Sequence, residues 1–343
     1  MTPHYIIGKI ETPAGSVEQV STVWTNKDLF STIKVRWSIG RMDYAVTPGL
    51  YAVGNPDADS DVYVSCNFKL SFDHLRRALH GLNAWILVLD TKGINVWCAA
   101  GKGTFGTMEL VYRIMVEQLG NVVNHNKIIV PQLGATGVAA HKVKEATGFK
   151  VIYGPVKADD IRAFVANDYK ATPEMRKINF NLGDRSKLIP VEFVYAKHYM
   201  ILIPAIFFIL AGLSVHGFSV DSSWSNGGRA ILNLCVAYLA GCVLTPIFLP
   251  IIPFKSFSLK GLVMGWLMAL PLLYLNFLGT NIFEIIAWFL IMGGLSSFLA
   301  MNFTGSSTFT SLSGVQKEMK ISLPTQILGT ALGCIGWIVT RFI

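Results

Sequence analysis

Cys98 is the residue of this sequence whose type and surroundings best suit covalent or metal chemistry. It lies within the stretch Asn95-Val96-Trp97-Cys98-Ala99-Ala100-Gly101-Lys102, among small residues and next to a cation. A nearby lysine and a helix N-terminus both favour the thiolate form of a cysteine. A thiolate is a nucleophile and a soft metal ligand. Spacing alone leaves the alternative open that Cys98 is an ordinary packed cysteine.

The other four cysteines form no metal-binding or disulfide pattern. The chain has five cysteines, with no C-x-x-C pair and no C-x-x-C-H. This excludes a disulfide scaffold, a zinc ribbon, a c-type haem site and an iron–sulfur cluster held by this chain alone. Cys66 is predicted to lie in a core strand, whereas the remaining three lie in apolar segments and are expected to pack there: Cys235, Cys242 and Cys334.

Alternating strand and helix patterns from Asp61 onward predict the scaffold that positions Cys98. The expected strands are 62–68, 84–89, 127–130 and 150–153, and the expected helices are 71–80, 107–119, 138–147 and one that opens at 159–160. Strands separated by single helices are typical of a parallel sheet with right-handed crossovers. We therefore predict a Rossmann-like α/β domain, which binds its ligand at the carboxyl ends of the strands.

Long or glycine-rich connections follow three of these strands. Residues 90–106 form a long connection that contains Cys98, Pro131 to Gly137 follow the next strand, and Gly154-Pro155 follow the last. Long connections at this edge are usually functional, and glycine lets a backbone approach a ligand closely. The pattern predicts that Cys98 lies on a ligand-binding loop.

Residues 1–60 carry mixed charge and turn chemistry, with short β-type runs such as Ser31 to Trp37. We expect this segment to pack on the soluble domain of residues 61–180, with 181–197 as a linker. Met1 to Thr22 has neither a basic region nor an apolar region of the secretory kind. The soluble domain is therefore expected to stay in the cytoplasm.

The second half of the chain is too apolar for a soluble protein. The 343 residues are 52% hydrophobic and 15% charged, with a mean hydropathy of +0.47. Residues 1–197 hold 23 Lys and Arg and 18 Asp and Glu, whereas residues 198–343 hold 6 and 3. Apolar runs close to the ~20 residues that cross a bilayer predict a membrane domain at 198–343, with five spans at 199–215, 230–252, 262–278, 285–301 and 323–340.

Positive residues predict the orientation of these spans. Arg185, Lys187 and Lys197 precede the first span, and lysines recur in every second connection. These connections are expected on the cytoplasmic side of an inner membrane, with the C-terminus outside. The net charge of +8 forms no basic run and no aromatic-spaced stripe, so no nucleic-acid partner is predicted. The hydroxyl-rich connection 302–314 falls on the same side as the soluble domain, although it also fits an ordinary polar connector.

Several segments together resemble a known family. Asn95 to Lys102, Val35 to Met42, Pro48 to Pro56 and Trp85 to Gly93 resemble HgcA, the membrane-anchored corrinoid proteins of microbial mercury methylation. The five spans fit that architecture, and the likeness covers essentially the whole chain. Gln132 to Ala140, Gly148 to Val156 and Thr304 to Gly314 are also distantly similar to the corrinoid domain of the corrinoid iron–sulfur protein of acetyl-CoA synthesis. That relative carries its own cluster-binding cysteines and a barrel domain, which this sequence is expected to lack.

The resemblance implies a cobalamin site. Cys98 would be the lower axial ligand of cobalt and the catalytic residue. The other cofactor contacts that it implies are Asn95, Val96, Trp97, Ala99, Ala100, Gly101, Lys102, Gly134, Thr136, Gly137, Val138, Gly154, Pro155, Thr304, Gly305, Ser306 and Thr308.

The resemblance also implies a function: transfer of a methyl group from a cysteine-ligated methylcobalamin to Hg(II), giving methylmercury. A thiolate pushes electron density onto cobalt, so the methyl group can leave with carbanion character. The implied partners are a ferredoxin-like [4Fe–4S] reductant of the HgcB kind, a methylated folate-type donor or its methyltransferase, and membrane lipid. Two alternatives stay open: a corrinoid methyl carrier of one-carbon metabolism with another acceptor, and a transporter with a regulatory cytoplasmic domain.

Overall fold

Seven strands from the first 153 residues form one mixed sheet. A computed structural model describes residues 3–303 and 312–343, and the chain divides into unit 1, Met1–Ile178, and unit 2, Asn179–Ile343. The strands of unit 1 are β1 (Ile6–Thr12), β2 (Gly15–Val20), β3 (Gly49–Val53), β4 (Val62–Cys66), β5 (Ala84–Leu89), β6 (Lys127–Val130) and β7 (Lys150–Tyr153).

The sheet has the strand order β1-β2-β3-β5-β4-β6-β7. The four strands from β4 to β7 run parallel to their neighbours in this group, as the alternation of strands and helices predicts. The parallel arrangement predicted for residues 61–180 is confirmed, and the strands from residues 1–60 make the whole sheet mixed, because β3 pairs antiparallel with β5 and β1 pairs antiparallel with β2. Residues 1–60 thus supply three strands of the sheet itself, in addition to packing on it.

The central strands are buried on both faces by helices. Every residue of β4 and β5 is buried, as expected of a sheet covered on both sides. The helices of unit 1 are α1 (Asn26–Arg36), α2 (Lys69–Ala78), α3 (Val96–Lys102), α4 (Thr107–Val116), α5 (Leu119–Val122), α6 (Ala140–Thr147) and α7 (Ile161–Ala166). Alternate residues of β5 face opposite cores: Leu87 packs with α3, α4 and α6, and Ile86 packs with α2 and α7.

Helix α1 replaces the strand expected at Ser31 to Trp37. Thr25 and Asp28 form a capping box: Thr25 Oγ1 accepts from the Asp28 N–H at 3.4 Å, and Asp28 Oδ2 accepts from the Thr25 N–H at 2.9 Å. This arrangement satisfies backbone donors that a helix start otherwise leaves unpaired. The β-type composition of the run is outweighed by this local start signal and by the burial of Asp28, Thr32 and Val35.

A buried ionic network joins α1 to α2. The Arg76 side chain is 0% exposed, with its guanidinium 2.7 Å from Asp28 Oδ1 and 2.8 Å from Asp73 Oδ1. Lys69 adds a 2.5 Å pair with Asp73. Burial pushes the pKa of Asp28 up, but hydrogen bonds from Thr25 and His4 and the charge of Arg76 outweigh it and lower the pKa to about 2. These charges are therefore held ionised inside the unit.

Unit 2 consists mainly of long apolar helices. They are α8 (Leu182–Ser186), α9 (Pro190–Ala196), α10 (Tyr199–Leu210), α11 (Val220–Leu239), a π-helical turn (Ala240–Leu244), α12 (Thr245–Phe248), α13 (Phe257–Tyr274), α14 (Ile282–Asn302) and α15 (Leu312–Val339). Four stretches are long and apolar enough to cross a membrane, and the bent pair Leu182–Ala196 and Tyr199–Leu210, with an angle of 58°, gives a fifth if it is one span.

The helix boundaries differ from the predicted spans at several places. The first span was expected to reach Val215, but α10 ends at Leu210 and is followed by a two-stranded hairpin, β8 (Leu213–Ser214) and β9 (Gly217–Phe218). The residues expected to be a linker, 181–197, contain α8 and α9. Lys260, expected in a connection, lies in α13, where its ammonium donates to the carbonyls of Leu249 and Ile252.

Small and polar residues hold α13 and α14 together. A Cβ on Gly265 would lie 2.8 Å from the carbonyl of Met292, so only glycine permits this approach. Ser296 Oγ donates to the Gly261 carbonyl at 2.7 Å. Close backbone packing with interhelical hydrogen bonds is how helices associate where lipid offers no hydrophobic driving force.

Candidate functional site

The ligand-binding edge of unit 1 lies at the carboxyl ends of β4 to β7. The order β5-β4-β6-β7 places the reversal of strand order between β4 and β6. Parallel sheets bind ligands in the crevice outside such a reversal. The segments that follow these strands begin at Asn67, Asp90, Pro131 and Gly154, so the edge includes the connection that contains Cys98.

Cys98 lies on a short helix and not on the loop that the sequence predicts. Asn95 is the N-cap of α3, and its Oδ1 accepts from the Cys98 backbone N–H at 2.9 Å. The capping amide fixes the start of the helix and thereby the direction of the Cys98 side chain. The loop expectation failed because the small residues after Cys98 form a helical turn, which Gly103 ends with a φ of 82°.

The two sides of α3 have opposite characters. Val96, Ala99 and Ala100 are buried against the core. The outward side presents four residues, of which Cys98 is half-buried and the others are exposed: Trp97, Cys98, Gly101 and Lys102. Within the part of the chain that the structure describes, no side chain forms a hydrogen bond with the Cys98 thiol. The thiol is therefore available to an external ligand.

Asn67 fixes the connection between β5 and α3, and sequence reasoning missed it. Its Oδ1 accepts from the backbone N–H of Thr91 at 3.1 Å and of Gly93 at 2.9 Å. Glu109 Oε1 on α4 also accepts from the Asp90 backbone N–H at 2.8 Å. The signal that could have identified Asn67 is its position directly after the buried strand β4. An asparagine amide there can accept hydrogen bonds from backbone N–H groups at the end of the neighbouring strand β5.

The 131–138 segment packs directly against α3. A Cβ on Gly137 would lie 3.1 Å from Ala100 Cα, and one on Gly134 would lie 3.2 Å from Val130 Cγ1. The Thr107 N–H donates to the Gly137 carbonyl at 3.1 Å. The structure thus brings together the α3 and 131–138 regions that the sequence singled out. These glycines permit close protein packing, and their contact with a cofactor stays a prediction.

The remaining predicted contacts are divided between surface and interior. Thr136 is exposed, whereas Val138, Gly154 and Pro155 are buried. The Gly154 N–H donates to the Val130 carbonyl at 2.8 Å, so the turn that follows β7 is bonded to the last residue of β6. Thr304, Gly305, Ser306 and Thr308 fall within 304–311, outside the described residues, and their contribution stays a prediction.

Cys66 is not an alternative ligand at this edge. It is 0% exposed and belongs to the core cluster that contains Val96 and Ala99 of α3. Burial raises the pKa of the Cys66 thiol, which keeps it protonated at neutral pH. Among residues 3–303 and 312–343, no group of three or more His, Cys, Asp or Glu is arranged to hold a metal ion. A metal at this edge would therefore need a carrier that supplies its other ligands.

The residues at the edge fit a corrinoid. A corrin ring would supply cobalt with four nitrogens of its own, so a single soft side chain beside a surface open enough for a flat macrocycle could hold the metal. The outward side of α3 offers the Cys98 thiol, and nothing lies within 4 Å of the position a Cβ would take on Gly101. The buried Gln132 Oε1 has no hydrogen-bond partner among the described residues. That oxygen is suited to accept from one of the amides that surround a corrin ring.

Two glycine variants separate packing from openness at this edge. We expect Gly137→Ala to destabilise unit 1 by about 1–3 kcal/mol, because its methyl group would press on Ala100 and on the carbonyl of Phe105. Gly101→Ala is the matched control, because it adds a methyl group to open space on a helix. Its free energy of unfolding should equal that of the wild type or exceed it by at most ~1 kcal/mol. Thermal unfolding of the full-length protein in detergent measures both, and equal losses would contradict the packing assigned to Gly137.

Comparisons with known proteins point to the same part of the chain. Residues 28–165 match the CdhD family, described as the CO dehydrogenase/acetyl-CoA synthase delta subunit. The acetyl-CoA decarbonylase/synthase complex subunit gamma of Archaeoglobus fulgidus is 29% identical over 143 residues, which cover 40% of this chain and 30% of that protein. The corrinoid/iron-sulfur protein large subunit of Moorella thermoacetica is 32% identical over 117 residues, covering 34% of this chain and 26% of that protein.

A third relative gives a similar alignment. The gamma subunit from Methanopyrus kandleri is 31% identical over 126 residues, which cover 36% of this chain and 27% of that protein. This chain therefore spans less than a third of the length of these relatives. The residues that match the family model, 28–165, lie within unit 1. Residues 28–165 of this chain thus match the CdhD family model, and several long apolar helices follow them.

Proposed function

We propose that this chain is a membrane-anchored corrinoid methyltransferase that transfers a methyl group to Hg(II) and produces methylmercury. The observation that carries the proposal is the half-buried Cys98, which has no partner in the described structure and lies at the ligand edge of a domain of a corrinoid protein family. The choice of Hg(II) as acceptor rests on the resemblance of Asn95 to Lys102 and of the apolar spans to the mercury-methylating family.

Each residue around Cys98 has a distinct part in this proposal. The Cys98 sulfur would hold the cobalt of a bound corrinoid, Asn95 holds the Cys98 backbone through the 2.9 Å hydrogen bond, and Gln132 would accept from an amide of the macrocycle. When bound, the corrinoid would supply the metal that carries the methyl group, and a sulfur ligand would favour its transfer to an electrophilic mercuric ion.

The proposal requires partners that supply electrons and methyl groups. Keeping a corrinoid reactive requires a low-potential electron donor, and we assign this part to a ferredoxin-like [4Fe–4S] protein. A methylated folate-type donor, or the methyltransferase that uses it, supplies the methyl group.

The test is methylmercury formation by membranes that contain this chain together with a ferredoxin-like protein. We expect product from Hg(II), a methyl donor and cobalamin, and none from membranes without the chain. The purified chain should also bind cobalamin and alter its absorption spectrum, because the axial ligand changes the electronic states of cobalt. Cobalamin binding without methylmercury would leave the cofactor assignment intact and overturn the acceptor.

A second candidate is a methyl carrier of the acetyl-CoA pathway with another acceptor. It is favoured by the names of the relatives, which are subunits of acetyl-CoA decarbonylase/synthase complexes. The same preparations separate the two candidates. Methyl transfer to an acetyl-CoA synthase preparation, with none to Hg(II), would favour the carrier.

We further propose that unit 1 lies in the cytoplasm and that the C-terminus lies outside, with five spans between them. The bent pair α8–α9 and α10 then counts as one span, and the cationic connections fall on the cytoplasmic side. A reporter enzyme that requires export, fused after Ile343, should be active. Activity of a cytoplasmic reporter at that position would mean an even number of spans.

A further inference from the structure

Unit 2 contains a cavity that the proposed function does not use. Its volume is about 640 Å³, within the range of small-molecule sites. It lies where α10 begins and where α11 and α14 end, with α9 as a further wall. All residues that line it belong to unit 2, so the inference concerns the membrane unit alone and does not rest on the proposed function.

The walls of this cavity are apolar and aromatic. Leucines from α11 and α14 form one side, including Leu234 and Leu295. Phe193, Tyr199 and Phe298 add aromatic rings. Such walls suit a lipid-soluble molecule with a flat ring, because rings stack on aromatic side chains and an apolar tail gains by leaving water.

Two buried polar side chains in the cavity lack a strong hydrogen-bond partner. Glu192 is 8% exposed, and within residues 3–303 and 312–343 its carboxyl group forms no side-chain hydrogen bond and no ion pair. The Tyr238 hydroxyl is also buried, and the neighbouring group that interacts with it is the Cys242 thiol, a weak hydrogen-bonding group. Unpaired buried polar groups are costly, so each points to a ligand atom that would satisfy it.

Two other charged side chains of the same unit have polar partners, in contrast to the Glu192 carboxyl group. Glu284 pairs with Arg341, and the Lys260 ammonium donates to two backbone carbonyls. Among the described residues that line the cavity there is no Lys, Arg or His. An anionic phospholipid head group would therefore meet a carboxyl group with no cation to neutralise its phosphate.

We propose that this cavity binds a membrane quinone or its quinol. The ring would lie among the aromatic side chains and the isoprenoid tail along the leucines. The Tyr238 hydroxyl would donate to a quinone carbonyl, and the Glu192 carboxyl group would accept from a quinol hydroxyl. The assignment concerns binding and requires no chemical change of the ligand.

The test is titration of the purified full-length protein in detergent with a decyl-substituted benzoquinone and, anaerobically, with its reduced form. Calorimetry should give saturable binding with one site per chain. Tyr238→Phe should weaken the binding of the oxidised probe about tenfold or more. Glu192→Gln should weaken mainly the binding of the reduced probe, by a similar factor. Tyr274→Phe is the matched control, because Tyr274 is 87% exposed on α13 and does not line the cavity. This variant should bind both probes with the affinity of the wild-type protein.

A second measurement keeps the proposal open to refutation if a cavity variant fails to fold. An azido derivative of the same quinone, activated by light on the wild-type protein, should label peptides of α9, α10, α11 or α14. Labelling confined to other helices, no saturable binding up to the solubility limit of the probe, or unchanged affinity in both folded cavity variants would each overturn it. Displacement of the probe by phosphatidylethanolamine at equal concentration would also overturn it, since the site would then be a lipid site.

Discussion

The Cys98→Ala protein is expected to fold like the wild type and to lose methyl transfer. Cys98 is only half-buried on the outward side of α3, so its sulfur contributes little to the core. If that sulfur is the axial ligand of cobalt, its removal should lower the transfer rate by more than the roughly 10–100-fold that follows loss of an outer-shell partner of a metal ligand. The absorption spectrum of the bound cobalamin should change at the same time.

Cys66→Ala is the matched control for this experiment. Cys66 is 0% exposed in the core beneath α3, so its truncation should cost about 1 kcal/mol or somewhat more in unfolding free energy. It should leave the cobalamin spectrum unchanged. A Cys98→Ala protein that keeps both the wild-type spectrum and the wild-type rate would show that Cys98 is a packing residue beside some other ligand.

Arg76→Met is expected to be the most destabilising substitution in unit 1. It removes the cation that joins Asp28 to Asp73, whose side chains are 1% and 0% exposed, and leaves Lys69 as a remaining cation beside them. Removing one partner of a buried ionic network typically costs about 3–5 kcal/mol, because the remaining charges stay desolvated. Hydrogen exchange of the β4 and β5 amides in the full-length protein measures this loss.

Arg77→Met is the neighbouring control. The Arg77 and Asp159 side chains are 41% and 68% exposed and 3.4 Å apart, and exposed pairs contribute about 0–1 kcal/mol. A loss in Arg77→Met as large as that in Arg76→Met would contradict the stability assigned to the buried network.

The pH dependence gives an independent check on this network. The pKa of Asp28 is lowered from 3.8 to about 2 in the folded protein. Its stabilising contribution is therefore complete above about pH 4 and is lost as the pH falls through 2. The difference in unfolding free energy between wild type and Arg76→Met should shrink over that range, because the Asp28 carboxyl group becomes neutral in both proteins.

Features that depend on neighbours in the sequence were predictable. The alternation of buried strands with helices is a local pattern, and it predicted β4 to β7 and the edge where Cys98 lies. The apolar runs are equally local, and they predicted the long helices of unit 2. The start of α1 was also encoded locally, in Thr25 and Asp28, but the β-type residues that follow them favour a strand and mask this signal.

Features that depend on distant residues were not predictable. Periodicity would turn Leu29, Phe30 and Ile33 of α1 towards a core, yet they are 50%, 61% and 47% exposed, because Asp28 is drawn inward by Arg76, 48 residues away. A glycine in the sequence also gives no sign of whether it makes room for a ligand or for protein.

The amino-acid sequence by itself determined the α/β character of unit 1, the apolar helices of unit 2 and the chemical prominence of Cys98, because period, caps and composition act over a few residues. Only the tertiary structure decided that Gly137 accommodates Ala100, that Asn67 anchors the connection to α3, and that Glu192 and Tyr238 meet in one cavity. Each of these contacts joins residues more than 20 positions apart. Their energy depends on which surfaces the fold brings together, and no local pattern records that.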